Sequence, residues 1–408
     1  MSLPIINVTY EPVYTDQKPS FSKCIYEMGL QDEAEELWED IHQELQNLMQ
    51  LVNADQKSYY RNYTSYACQV AFEKQEKWLK RNWLKYASYF AQPTEVDATA
   101  IKPRLELINN QSQRDIFRIA RLFWSLPYSN GYGRRMGYLI WDDTNGKLMG
   151  ILGLQSPPLS LPSRDKQFNI PKAKKTEIVN QTMDAYTVGA LPPYSDLLAG
   201  KLVVLAAASK EVREHYQLRY EGRKTIIENR VIPAVLIAVT TLSAFGRSSL
   251  YNRVSKGMSN NQNIWAATSL GFCEGWGTLH FSDRLYEKMK NLHKKLVPEK
   301  RLHGFGTGPK IRLQVVRHIL QTLGFPETHI RHNIKREAFI IPHVKNLEEM
   351  LSGIEEKPVY NDLPFSELGQ FWKERYCLPR AEQRCSLEGR ETIAQSFGFD
   401  DSLSSFNS

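Results

Sequence analysis

Four ionisable side chains stand where they could carry out acid–base chemistry. Asp184 lies near the start of a predicted strand, and Tyr251 lies in a short predicted helix. His280 and Asp283 stand at the end of a later predicted strand. Carboxyl, phenol and imidazole groups can exchange protons with a substrate bound in a shallow site. Polar residues at strand ends also serve as caps and surface hydrogen-bonding groups, so a catalytic role for these four is a hypothesis beside that structural interpretation.

Five basic side chains are candidates for binding an anion or a nucleic acid. Two belong to the segment Gly246–Arg253, which follows an apolar run and begins a helix, where free backbone N–H groups favour an anion. Three follow the glycine-rich segment Gly304–Pro309, whose backbone N–H groups could surround a phosphate. A glycine turn with a serine cap, or a solvated helix face, explains the same residues equally well. The five are Arg247, Arg253, Lys310, Arg312 and Arg317.

Two familiar site patterns are incomplete in this sequence. Lys201 follows a glycine as in a P-loop, but Ser195 occupies the first-glycine position and Leu202 replaces the required Ser or Thr. This excludes a P-loop nucleotide hydrolase. His329 and His332 have a metal-like spacing without a convincing third ligand, so no metal site is predicted.

The composition predicts a globular chain in a reducing compartment. The 408 residues include 20 Tyr, 17 Phe and 8 Trp and carry a net charge of +7. That charge permits a weak, salt-sensitive attraction to polyanions. Five widely spread cysteines without a C-x-x-C pair support neither a disulfide framework nor a zinc finger. Because no basic segment precedes an apolar run at the amino terminus and Val231–Leu242 is too short to span a bilayer, we expect a cytoplasmic protein without a membrane span.

The amino-terminal region is predicted to be helical. Asp32–Val52 has the apolar spacing of an amphipathic, acidic helix. Gln56–Phe90 interleaves basic and aromatic residues, which suits single-strand binding but suits ordinary core packing better. After a break at Ala91, Ser112–Leu126 is predicted to form another helix.

An α/β pattern follows and predicts a mixed sheet. Its first two strands form a hairpin, since an Asn-Gly pair between them supplies the positive φ that a tight turn needs. Strands and a long helix then alternate in an α/β order. The predicted elements are strands Met136–Trp141, Lys147–Leu154, Thr182–Val188, Val231–Leu242, Ile264–Leu270 and Thr278–Phe281, and the helix from Ser195 to Tyr220.

Two basic amphipathic helices, Arg284–Leu296 and Ile311–Leu323, are predicted beyond this pattern. Taken together, these sequence patterns predict three regions. They are a helical amino-terminal region over residues 1–130, an α/β core domain over 131–290, and a basic helical region with a tail over 291–408.

Six segments in one order resemble the DruA family of Druantia antiphage defence systems. They lie between Arg135 and Arg317. The resemblance implies a bacterial defence component that acts beside other Druantia proteins, including a large helicase-like partner, and it implies no particular reaction. The segments are Gly137–Asp142, Gly150–Pro157, Met183–Tyr194, Gly246–Arg253, Gly275–Asp283 and His303–Pro309.

The order of elements also resembles the acetyltransferase-type α/β fold, including the phage DNA-modifying proteins called Mom. This resemblance implies a mixed sheet with amino-terminal helices and a carboxy-terminal helical extension. Gly189–Tyr194 stands where the usual pyrophosphate loop would be, so ordinary acetyl-CoA binding is not expected and the cofactor stays unassigned.

Three functions are consistent with these observations. The first is a defence-complex subunit that contacts DNA or RNA. The second is a group transferase that modifies a nucleobase or another amine, with the four ionisable residues as its acid–base groups. The third is a structural adaptor without catalysis.

Overall fold

The computed structural model divides the chain into two compact units. One comprises Met1–Ala54 and Trp276–Asn333, which we call the helical unit. The other comprises Asp55–Gly275 and Ile334–Ser408, which we call the sheet unit. The described residues are 20–52, 72–123, 131–224, 229–231, 233–244, 248–259, 262–273, 278, 281–298, 309–326, 329, 336–383, 387 and 392–397.

The described strands all belong to the sheet unit. They are β1 Pro103–Leu107, β2 Met136–Asp142, β3 Lys147–Gln155, β4 Thr182–Ala190, β5 Ala238–Leu242, β6 Ser255–Ser259, β7 Gln262–Trp265, β8 Thr268–Cys273 and β9 Arg336–Pro342. Seven of them form one sheet in the order β1-β2-β3-β4-β5-β9-β8, and β6 and β7 form a separate two-stranded sheet. β4 and β5 run parallel, while the other neighbouring pairs of the large sheet are antiparallel. The predicted mixed α/β sheet is therefore confirmed, with a mostly antiparallel arrangement.

The described helices are distributed over both units. In chain order they are α1 Lys23–Glu27, α2 Gln31–Val52, α3 72–86, α4 Gln111–Leu122, α5 Pro162–Gln167, α6 Lys175–Asn180, α7 Ala199–Ala206, α8 Lys210–Tyr220, α9 Asp283–Leu296, α10 Pro309–Thr322, α11 Leu347–Ser352, α12 Phe365–Trp372, α13 Leu378–Gln383 and α14 Ile393–Ser396. A π-helical turn, Lys373–Cys377, joins α12 to α13. None of the helices that the structure describes is both long enough and apolar enough to cross a membrane.

Helices cover both faces of the large sheet because side chains alternate along each strand. In β2, Tyr138 and Ile140 pack on one face with Leu202 of α7. Leu139 packs on the other face with Ile119 of α4. All of these side chains are fully buried, so the sheet forms the middle of a three-layer core.

The helical unit contains an acidic helix packed against a basic one. α2 contacts α9, and α9 contacts α10. Lys288 of α9 lies 2.7 Å from a carboxylate oxygen of Glu36 and 2.5 Å from one of Asp40. The predicted helices Asp32–Val52, Arg284–Leu296 and Ile311–Leu323 are confirmed as α2, α9 and α10, with ends that differ by at most two residues.

Four predicted elements differ from the structure. The predicted strand Ile264–Leu270 is divided by a bend at residues 266–267 between the end of β7 and the start of β8. The long helix from Ser195 to Tyr220 is broken, because Leu198 takes a left-handed φ of 60° before α7 and a turn separates α7 from α8. Among the described residues of Val231–Leu242, the last five form a regular strand and the others do not. The predicted strand Thr278–Phe281 begins and ends in bends, and its two central residues lie outside the described residues.

The region after residue 290 is not wholly helical. β9 stands between β5 and β8 in the large sheet, although the sequence analysis assigned this region to helices and a tail. Five of its seven residues are buried, because a strand inside a sheet has neighbours on both sides and helices on its faces.

Candidate functional site

An open cleft of about 380 Å³ in the sheet unit gathers basic and aromatic side chains. Its lining brings α7, the turn before β6, the β6–β7 hairpin and the π-helical turn together. None of the described lining residues is acidic. The lining residues are Lys201, Arg253, Ser255, Asn263, Trp265, Arg375 and Tyr376.

Lys201 places an ammonium group in the wall of this cleft. Its Nζ donates to the backbone oxygens of Ser249 and Asn252, each at 3.3 Å. It also lies 5.2 Å from the centre of the Tyr376 ring. Burial, with Arg253 nearby, lowers the pKa of Lys201 below its usual value. Since an ammonium group has three N–H donors, Lys201 keeps one donor for a ligand.

Arg253 has a backbone conformation that its own surroundings hold in place. Its φ of 62° lies in the left-handed region, which is costly for a residue with a side chain. The Tyr376 hydroxyl donates to the Arg253 carbonyl oxygen at 3.2 Å and accepts from the Ser255 N–H at 2.7 Å. These two hydrogen bonds fix the turn from which the exposed Arg253 side chain projects.

The β6–β7 hairpin contributes the aromatic wall of the cleft. Trp265 pairs with Ser255 across the hairpin, and Asn263 lies two residues before Trp265, so the two side chains share one face. The Trp265 side chain is 46% exposed. The Oδ1 atom of Asn263 accepts no hydrogen bond from the described residues. The hairpin therefore offers a free indole face beside an amide group.

Glu337, in β9, supports the cleft from beneath. This residue is only 6% exposed. Its carboxylate accepts from the Ser269 hydroxyl at 2.7 Å and from Asn252 Nδ2 at 3.4 Å. Asn252 Nδ2 also donates to the Ser248 carbonyl oxygen at 2.9 Å. Because the Asn252 carbonyl oxygen binds Lys201, the buried carboxylate positions the turn that orients the cleft.

Asp184 and Tyr251, two of the residues predicted for acid–base chemistry, lie in the sheet unit. Asp184 is half-buried and accepts from Gln155 Nε2 at 3.0 Å and from the Thr240 hydroxyl at 3.1 Å. Burial raises the pKa of Asp184, although both hydrogen bonds oppose the shift. Tyr251 is almost fully buried, and its hydroxyl lies 3.4 Å from that of Thr241. Burial raises the pKa of Tyr251 to about 12.

These two residues are bound to neighbouring threonines of one strand. Thr240 and Thr241 are consecutive in β5, so their side chains project to opposite faces of the sheet. The hydrogen bonds therefore place Asp184 and Tyr251 on opposite faces, and they do not form an acid–base pair with each other. Each stays a separate catalytic hypothesis.

Two candidate residues of the helical unit, Asp283 and Arg312, are engaged with each other. Arg312 donates to Asp283 Oδ1 at 2.6 Å and to the Phe281 carbonyl oxygen at 2.6 Å. Its guanidinium lies 4.4 Å from the centre of the Tyr286 ring. The ion pair reduces the charge that either residue presents to a ligand. Arg317 is half-buried in α10.

Three of the predicted residues cannot be placed in a site. Arg247 and His280 lie outside the described residues, and Lys310 is described only as part of the backbone of α10. Of the predicted anion-binding residues whose side chains the structure describes, Arg253 lines the cleft, whereas Arg312 and Arg317 lie in the helical unit. Lys201 and Arg375 were not among the anion-binding residues predicted from the sequence. Lys201 stood out there only as part of an incomplete P-loop pattern.

The fold and the cleft together define an α/β protein with a mixed sheet and a surface suited to an anionic ligand. The chain belongs to the DruA family. A profile described as "Druantia protein DruA" matches residues 54–353. The chain is also 34% identical, over 310 residues, to a protein of that name from Escherichia coli (strain UMEA 4076-1), with 75% of each chain covered. No solved structure matches the chain significantly. The resemblance to the DruA family is thus confirmed, and the resemblance to acetyltransferases stays a prediction.

Proposed function

We propose that this chain is a component of a Druantia antiphage defence system that contacts nucleic acid in a multi-protein assembly. Its membership of the DruA family supports the defence role. The partners that this role implies are other Druantia proteins, including a helicase-like subunit. The nucleic-acid contact rests on one observation, the cleft that contains Lys201, Arg253 and Arg375.

The charge of the cleft is what favours a polyanion. None of these three cations forms an ion pair with a carboxylate in the part of the chain that the structure describes. Unpaired cations that converge on one concave surface attract phosphates, and binding is strengthened by the release of counterions. Lys201 differs from an ordinary solvated lysine in two respects. It is half-buried, and it lines the same cleft as Arg253 and Arg375.

Binding measurements with one matched control test this function. Arg375→Gln removes a charge from the cleft, while Arg114→Gln removes the charge of an exposed helical arginine elsewhere in the sheet unit. Fluorescence anisotropy with labelled DNA and RNA at low salt should show weaker binding for Arg375→Gln and unchanged binding for Arg114→Gln. Absence of binding by the wild-type chain, alone and with its Druantia partners, would refute the nucleic-acid contact.

A group transferase acting on a nucleobase or another amine is the second candidate. The half-buried Asp184 favours it, because a carboxyl group with a raised pKa is better matched to proton transfer near neutral pH. Mass spectrometry of nucleosides from expressing and infected cells tests this activity, with Asp184→Asn as the inactive control. Loss of phage protection by a folded Asp184→Asn that still binds its partners would favour catalysis. Loss of both together would favour a structural adaptor.

A further inference from the structure

We infer that the cleft takes a single-stranded nucleic acid, with one unpaired base stacked on Trp265 and the adjoining phosphate among Lys201, Arg253 and Arg375. This inference rests on the proposed function and specifies its substrate class. It is carried by the position of one exposed indole beside cations that no carboxylate of the described residues neutralises.

The aromatic side of the cleft is open to a ligand. Trp265 is 46% exposed, although a tryptophan in a protein of this size ordinarily buries most of its surface. The indole stands at the end of β7, and its partner Ser255 also lines the cleft. The hairpin pairing therefore fixes the direction in which the Trp265 side chain leaves the backbone.

The polar groups beside the indole match the parts of a nucleotide. Asn263 shares the face of Trp265, and its Oδ1 atom lacks a hydrogen-bond partner among the described residues. The Oδ1 atom is buried and costly to leave unpaired, so a donor on the edge of a base that reaches it would satisfy it. The free donor of Lys201 and the exposed guanidinium groups of Arg253 and Arg375 suit the phosphate.

The size of the cleft and its chemistry favour a single strand over a duplex. At about 380 Å³, the cleft is in the range of sites that enclose a small ligand. The bases of a duplex are already stacked on one another, so they cannot cover an indole face without being unpaired. A single strand has free base faces, and aromatic side chains bind them with little sequence preference.

The experiment compares a single strand of about 12 nucleotides with the duplex of the same sequence, as DNA and as RNA, on the full chain. Fluorescence anisotropy should show tighter binding to the single strand. Trp265→Ala should weaken single-strand binding roughly 5- to 150-fold, and Trp265→Phe should keep most of it. A strand in which abasic sites replace the bases should bind the wild type more weakly than the intact strand does. The abasic strand should bind the wild type and Trp265→Ala equally. That arm remains decisive if Trp265→Ala does not fold.

The outcomes separate this inference from the proposed function. Equal binding of single strand, duplex and abasic strand, with weaker binding only by Arg375→Gln, would overturn the stacked base while leaving a phosphate-binding cleft. No binding of any strand would overturn both. A preference for the single strand that is lost with the bases or with Trp265 would support the inference.

Discussion

The Tyr376 hydroxyl donates a hydrogen bond to the Arg253 carbonyl oxygen at 3.2 Å, across 122 intervening residues of sequence. The same hydroxyl accepts from the Ser255 N–H, and the ring lies beneath Lys201. One tyrosine thus holds the left-handed turn at Arg253 and one wall of the cleft. The exposed Arg253 side chain therefore owes its place in the cleft to this contact.

Removing this hydroxyl should affect both stability and binding. Tyr376→Phe keeps the ring but leaves the Ser255 N–H and the Arg253 carbonyl without their partner, which should lower the free energy of unfolding by about 1 kcal/mol. Single-strand binding should weaken severalfold because the turn at Arg253 loses its restraint. Urea denaturation and anisotropy measure the two effects. Tyr89→Phe, which alters an exposed ring, is the control, and equal effects of the two variants would contradict the positioning role.

Replacing the buried carboxylate of Glu337 should also reduce both stability and binding. Glu337→Gln replaces the carboxylate by a neutral amide, so the hydrogen bonds from Ser269 and Asn252 lose their charge-assisted strength, at a cost of about 1–3 kcal/mol. Urea denaturation should show this loss, and anisotropy should show weaker binding because Asn252 orients Lys201. Glu348→Gln changes an exposed glutamate of α11 and should do neither. Unchanged binding by a destabilised Glu337→Gln would show that the carboxylate supports only the fold.

Asp184 should give the chain a distinctive pH dependence. Burial raises its pKa, so the folded state binds a proton more tightly than the unfolded state does. The stability that depends on this group is therefore present at low pH. It is lost as the pH rises from the ordinary aspartate pKa of about 4 through the raised value. Urea denaturation across this window should show wild type losing stability relative to Asp184→Asn. A difference that does not change with pH would contradict the shift.

His343 should make the stability of the fold depend on pH in the opposite direction to Asp184. It is buried in the sheet unit, and burial, with Arg213 nearby, lowers the pKa of its imidazole to about 3. The unfolded state then binds a proton at a pH where the folded state does not. Relative to His343→Phe, wild type should lose roughly 2 kcal/mol of unfolding free energy between about pH 7 and about pH 5. Parallel pH profiles of the two proteins would show that the imidazole can be protonated in the folded state.

Local periodicity explains which elements could be predicted from the sequence. α2 and α9 repeat apolar residues at helical spacing, and the β2–β3 hairpin carries its turn residues between two apolar runs. Each pattern is complete within a short stretch of chain. β9 could not be recognised in the same way, because its apolar run follows basic residues and its two partner strands lie more than 60 residues before it.

The cleft could be predicted only in part for a related reason. Arg253 was identified because it belongs to a local glycine-led motif. Lys201, Trp265 and Arg375 come from a helix, a hairpin and a π-helical turn that meet only in the folded sheet unit. No spacing in the sequence links them. For Asp283 and Arg312, the sequence predicted two separate roles, acid–base chemistry and anion binding. In the structure these two residues form an ion pair with each other.

The salt dependence of single-strand binding tests the central claim most directly. Anisotropy titrations between about 50 mM and about 200 mM salt give the slope of log K against log salt concentration, which reports the phosphates that the protein neutralises. Each phosphate that the cleft neutralises should contribute about 0.7 to the magnitude of this slope. The triple variant K201Q/R253Q/R375Q should therefore bind more weakly and with a slope smaller in magnitude by about 0.7, for the one phosphate that the three cations share, whereas Arg114→Gln should match the wild type. Identical slopes for the wild type and the triple variant would contradict nucleic-acid binding by the cleft.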